Sequence, residues 1–114
     1  MKEEEKNLLL KDLVCRLPYG VKIHKALYGA TTLSERDIES FRKGVDDILM
    51  PYLRPMSSMT EEEKIDFQSF FNYDGIEYPE EYIDWLNAHH FDYRGLIPKG
   101  LAIEVTEDNN PYKN

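Results

Sequence analysis

The stretch from Trp85 to Gly100, WLNAHHFDYRGLIPKG, constrains this chain more than any other. It carries the single Trp, two of the three His and two turn signals, Asp-Tyr-Arg-Gly and Ile-Pro-Lys-Gly. Upstream, Pro79 suits a first helical position, where an N–H would be unpaired anyway. Tyr82, Ile83, Trp85, Leu86 and His90 then share one helical face. Downstream, Leu101 to Val105 has the apolar, branched character of a strand. A helix over 79–90 therefore passes through two turns into a strand over 101–105. With 114 residues the chain is one domain with a single modest core, and that core must hold both helix and sheet.

The remaining segments read the same way. Leu8, Leu9, Leu13, Cys15 and Leu17 keep helical spacing over 3–16, and Leu17-Pro18-Tyr19-Gly20 ends that helix, since Pro18 disfavours a helical Leu17. Val21 to Leu27 alternates as a half-buried strand with Lys22 and His24 outward, and Tyr28-Gly29 turns the chain into a second strand over 30–33. Ser34 and Asp37 form an approximate capping box for a helix over 35–43, stopped at Gly44. Pro51 and Pro55 interrupt the apolar segment DDILMPYLRPMSS (46–58), whose strand near 47–54 is expected at a sheet edge or as an extended connection, because proline cannot donate to a ladder. Thr60-Glu61-Glu62-Glu63 has the Thr-x-x-Glu form of a capping box and opens a helix over 61–72 bearing Ile65, Phe67, Phe70 and Phe71. Asn72 to Gly75 is a turn. The expected fold is α+β: a small antiparallel sheet (strands near 21–27, 30–33, 47–54 and 101–105) packed with about four helices. Residues 1–105 form the domain, and 106–114 form a polar, frayed tail.

The net charge of −8 is concentrated. Residues 1–59 carry ten basic and nine acidic groups, residues 60–84 one and nine, and residues 85–114 three and four. Such a segment can dock on a basic partner or mimic nucleic acid. The simpler account is that Glu61, Glu62, Glu63, Glu80 and Glu81 occupy first turns of helices, where negative charge is favoured. No apolar run is long enough to span a membrane. The acidic N-terminus lacks a signal peptide's basic start, and the single Cys15, expected to be a buried thiol, fits a reducing compartment. The expected location is the cytoplasm. A basic stripe for DNA or RNA is missing, because Glu35, Asp37 and Glu39 offset Arg36, Arg42 and Lys43.

His89, His90 and Asp92 form the one metal-like cluster. Adjacent helical residues point about 100° apart, and the positions four residues before the two histidines are Trp85 and Leu86 rather than ligands. A metal site also needs three or four ligands, and Asp92 supplies only one more. One packed and one helix-capping histidine is the simpler outcome. Arg94 in its turn can present a guanidinium to a carboxylate or phosphate, or tie the turn to an acid among residues 74–84. His89, His90, Asp92, Tyr93 and Arg94 are thus a candidate recognition surface if Asp92 and Arg94 are exposed and unpaired, and scaffold if they are paired. No catalytic, cofactor-binding or metal-ligating residue is assigned, and no cofactor is expected.

At PYLRPMSSMTEEEK (51–64) and WLNAHHFDYRGLIPKGLAIE (85–104), with LLLKDLVCRLPYGVK (8–22), the chain resembles a recurrent family. Its members are small, acidic proteins of unassigned function from Bacteroides-type anaerobic gut bacteria and their phages and mobile elements. The resemblance is good at both ends and poor over 24–47. It implies an accessory-genome setting and no activity, cofactor or catalytic residue. The leading expectation is a non-enzymatic accessory protein that binds another protein, with aromatics beyond what its core uses. An alternative is an acidic inhibitor or nucleic-acid mimic that occupies a basic host protein with residues 61–84. A second alternative is a small enzyme or metal protein centred on His90, Asp92 and Arg94. The expected partner is a protein, not nucleic acid or a membrane, and the oligomeric state is open.

Overall fold

The computed structural model describes residues 2–25, 28–44, 49–72, 75–76 and 79–113. The fold is α+β. Among the described residues there are four α-helices: α1 (Glu3–Arg16), α2 (Glu35–Arg42), α3 (Glu61–Gln68) and α4 (Pro79–Ala88). Strands β1 (Lys22–Lys25), β2 (Gly29–Thr32), β3 (Met50–Leu53) and β6 (Ile103–Glu104) form one sheet in the order β2-β1-β3-β6. Strands β4 (Phe71–Asn72) and β5 (Gly75–Ile76) pair separately as an antiparallel hairpin. The main sheet is antiparallel except for β3 and β6, which run parallel and pair Tyr52 with Ile103 and Leu53 with Glu104.

Local chemistry sets the helix starts. The side chain of Ser34 accepts from Asp37 N while Asp37 returns to Ser34 N, and Thr60 and Glu63 do the same for α3. The last turn of α1 does not stop at Leu17, whose φ of −51° and ψ of −46° are helical despite Pro18. It tightens into a 3₁₀ turn over Leu17–Tyr19 and ends at Gly20, at φ +70°. The core joins Leu9 and Leu13 of α1, Ile23 of β1, Ile38 and Phe41 of α2 and Leu53 of β3, all nearly inaccessible to solvent.

The bounds and place of several elements differ from expectation. Residues 50–53 form a central strand, flanked by β1 and β6, and not an edge. Pro51 is tolerated there because pairing with β6 begins only at Tyr52, and the ladder with β1 spans Ile23–Pro51 and His24–Met50 alone. The expected starts at 47–48 and ends at 26–27 of two strands lie outside the described residues. Helix α3 stops at Gln68 and not at 72: Ser69 Oγ donates to the Asp66 carbonyl at 2.5 Å, drawing it from the helical ladder, and Phe71 joins the hairpin. Helix α4 stops at Ala88, because His90 takes a left-handed φ of +63°. Strand 101–105 shortens to two residues, with Leu101 and Ala102 buried in the bend before it.

The C-terminal segment is not frayed over its described part. Tyr112 donates its hydroxyl to Tyr52 O at 2.7 Å and accepts from Lys22 N at 2.9 Å. Its ring stacks on His90, with centroids 3.8 Å apart and planes at 8°. Among the described residues, no helix is long and apolar enough to cross a membrane.

Candidate functional site

The junction after α4 is held in place by groups that point inward. At the helix end, His89 Nδ1 donates to the Trp85 carbonyl at 2.9 Å, which places a proton on that nitrogen. The chain then bridges to the end of β3, with Arg54 N donating to His90 O and Asp92 N to Arg54 O, both at 2.8 Å. Asp92 is 7% exposed. Its two carboxylate oxygens accept from Leu96 N at 2.8 Å and Ile97 N at 2.9 Å, organising the turn that follows. Tyr93 donates its hydroxyl to Asn87 Oδ1 at 2.8 Å.

Arg94 is paired as well, but not with an acid from residues 74–84. Its Nε donates to Asp12 Oδ1 at 3.1 Å, and the same carboxylate accepts from Arg16 Nε at 2.7 Å. Arg16 and Asp12 are fully buried, and Arg16 Nη2 donates to the Phe91 carbonyl at 2.6 Å. One carboxylate thus anchors two guanidiniums and joins α1 to the junction. The Arg94 fork also reaches Cys15 Sγ at 3.6 Å, and Cys15 is half-buried where a buried thiol was expected. Arg16 Nη1 and His90 Nδ1 are buried with no hydrogen-bond partner among the described residues. Burial, helped by the nearby charges of Arg16, His89 and Arg54, pushes the His90 imidazole down to about 4. His90 is therefore neutral at physiological pH.

Asp92 and Arg94 are both paired, the condition under which the sequence reading makes them scaffold. Of the five residues proposed as a recognition surface, His89 and Tyr93 retain partial exposure but spend their polar atoms within the fold. His90 stacks on Tyr112, Asp92 accepts from Leu96 N and Ile97 N, and Arg94 donates to Asp12. Among the described residues, no three His, Cys, Asp or Glu side chains gather as metal ligands. Sequence reading missed Asp12 and Arg16, although their i, i+4 spacing beside Leu9 and Leu13 marks an ion pair on an apolar face.

A different surface emerges between α3 and α4. Helix α3 has no fully buried residue. Phe67, Phe70 and Phe71 meet Tyr82 and Trp85 in a layer of rings with centroids 5.1–6.1 Å apart. Trp85 continues the layer to His89 and to Phe91, and the Arg54 guanidinium lies 4.2 Å from the Phe91 ring centre. Phe67, Phe70, Tyr82, Trp85 and His89 are half-buried and Phe71 is 41% exposed, whereas Phe91 is fully buried. Their anchor is Glu63, which accepts from both Nη atoms of Arg54 at 2.7 Å. The Arg54 hydrogen bonds hold the Glu63 carboxyl down to about 2. Around the seam, Glu62, Asp66, Glu80 and Glu81 are exposed and make no ion pair with another described residue.

The molecule measures 46 × 30 × 24 Å, with a radius of gyration of 14.7 Å, above the roughly 13 Å of a compact chain this long. The excess fits a second layer, α3 on α4, standing beside the main core. A shallow depression of about 400 Å³ lined by Pro79, Glu80, Ile83 and Asp84 adjoins α4. Comparison of the chain with protein-family models, with curated proteins and with solved structures finds no match.

Proposed function

We propose that this chain is a non-enzymatic accessory protein of the cytoplasm, of phage or mobile-element type, that binds another protein through the aromatic seam between α3 and α4. The observation that carries the reading is α3 itself. An amphipathic helix ordinarily buries its apolar stripe, whereas α3 and the two residues after Ser69 bring three Phe to a layer that stays half-open. Aromatic side chains supply large contact area at small entropic cost, and they dominate the centres of protein interfaces. The exposed acids around the seam select a partner whose rim is basic.

A photo-crosslinking residue at Phe71 tests this in host extract, with the same residue at Lys11, exposed on α1, as the control. A defined protein adduct is expected from position 71 and not from position 11. The same adducts from both positions, or none from either, would remove the proposal.

A second reading is favoured by the acids alone. Glu63 and Glu61 are engaged with Arg54 and Lys64, but Glu62, Asp66, Glu80 and Glu81 are not engaged in ion pairs with described residues. That surplus suits an acidic inhibitor that covers a basic, nucleic-acid-handling site. Partner binding should then weaken steeply with salt, and binding indifferent to salt would eliminate this reading.

A further inference from the structure

Strand β2 is an edge of the main sheet. In an antiparallel pair, residues alternate between exchanging both backbone bonds with the neighbour and directing both groups away from it. Leu33 N donates to Val21 O at 2.9 Å. In the register that pairs Thr32 with Lys22 and Ala30 with His24, Leu33, Thr31 and Gly29 therefore face β1. Ala30 and Thr32 turn their N–H and C=O outward, and no other described residue hydrogen-bonds these groups. Natural edges are usually blunted by charge or proline. From Tyr28 to Ser34 the strand's own sequence has neither, the nearest charge being the Lys22 ammonium of β1, which donates to Thr32 Oγ1 at 2.7 Å; Gly29, Ala30 and Thr32 are exposed, and Tyr28 is 77% exposed beside them.

We propose that β2 pairs with β2 of a second copy of this chain, making one continuous sheet across a two-fold axis. The strand is self-complementary. Reversed against itself with Thr31 on the axis, Ala30 of each copy meets Thr32 of the other, and all the outward N–H and C=O groups are satisfied. Charge favours this end of the molecule. The acidic excess lies in residues 60–84, whose helices attach beyond β3, two strands from β2, while residues 1–59 carry ten basic against nine acidic groups. Two chains of charge −8 can meet here without bringing their acidic layers together. The contact is small beside the ~1,200 Å² of a standard interface, so the dimer is weak and concentration-dependent.

Sedimentation of the full chain from about 10 μM to about 1 mM, the range suited to so small a contact, decides the question. A monomer–dimer equilibrium is expected. Ala30→Pro and Thr32→Pro each remove an outward N–H that the monomer does not use, and each should leave a folded monomer at every concentration. In the unmodified protein, amide exchange at Ala30 and Thr32 should slow by about tenfold as concentration rises, while other exposed amides stay unchanged. This readout stands even if a proline variant fails to fold. A monomer throughout the range, or a dimer retained by both proline variants, would overturn the proposal.

Discussion

Asp12 and Arg16 stand one helical turn apart on the apolar face of α1, where α1 meets the junction after α4. Because Asp12 neutralises two guanidiniums out of water, Asp12→Ala should cost about 3–5 kcal/mol, leaving buried positive charge uncompensated. Arg94→Ala, at a partly exposed partner, should cost about 1–2 kcal/mol. Urea denaturation of the two variants checks the order. The histidine beside this network makes a pH prediction. Since the folded value of His90 is about 4 against an ordinary 6.5, the unfolded chain takes the proton first, and stability falls as pH drops from 6.5 towards 4. His90→Asn, which tolerates the left-handed backbone, should remove about 1–2 kcal/mol of that loss after solvent screening. Glu63 acts in a lower window. Its depressed carboxyl stabilises the fold above pH 4.5, and the contribution disappears as pH falls from 4.5 to about 2. Glu63→Gln should flatten that limb by about 1–2 kcal/mol on the same allowance for screening. Thermal melts across pH separate the two windows. The Asp12–Arg16 spacing and the helix-end histidine leave a local signal in the sequence, whereas the Arg94, Phe91 and Arg54 partners come from other elements and leave none.

Elements were legible where their signals are local. Ser34 with Asp37 and Thr60 with Glu63 close within one turn, so composition at four positions suffices to place both helix starts. Asp37 carries a second duty. Burial opposes its ionisation, but Lys25 at 2.6 Å and the Ser34 bonds outweigh that and hold its carboxyl below its ordinary value. Ser34→Ala and Thr60→Ala should each lower stability by about 1 kcal/mol in denaturant titration. Equal stability of both variants to the parent would show that the caps contribute nothing net. Strand β3 was misplaced at an edge because a proline rule assumes a long ladder on both sides. Its ladders are short, and the parallel partner enters only after Pro51.

For the whole molecule, the decisive fastener is the C-terminal segment. Tyr112 bonds the backbone of β1 and β3 and stacks on His90, and burial raises its phenol well beyond the ordinary tyrosine range. Tyr112→Phe should cost about 1–3 kcal/mol by leaving Lys22 N and Tyr52 O without their partner. Removing residues 106–114 should cost more, since the stacking is lost too, and a truncated chain as stable as the parent would contradict this anchoring role. Composition had made the segment look expendable, because TEDNNPYKN is polar and one tyrosine leaves little pattern to read.

By itself the sequence determined the α+β class, the helix starts, the turns around Gly20 and Gly100, and the segregation of negative charge to residues 60–84. Those features follow from interactions within about four residues or from composition alone. Only the tertiary structure decided that Asp12 holds both Arg16 and Arg94, that β3 is central, that Asp92 is buried and bonded to the turn after it, and that the aromatic layer on α3 stays half-open. The physical reason is sequence separation. Arg16 reaches Phe91 across 75 positions and Lys22 reaches Tyr112 across 90, and such contacts exist only once the core has brought their elements together.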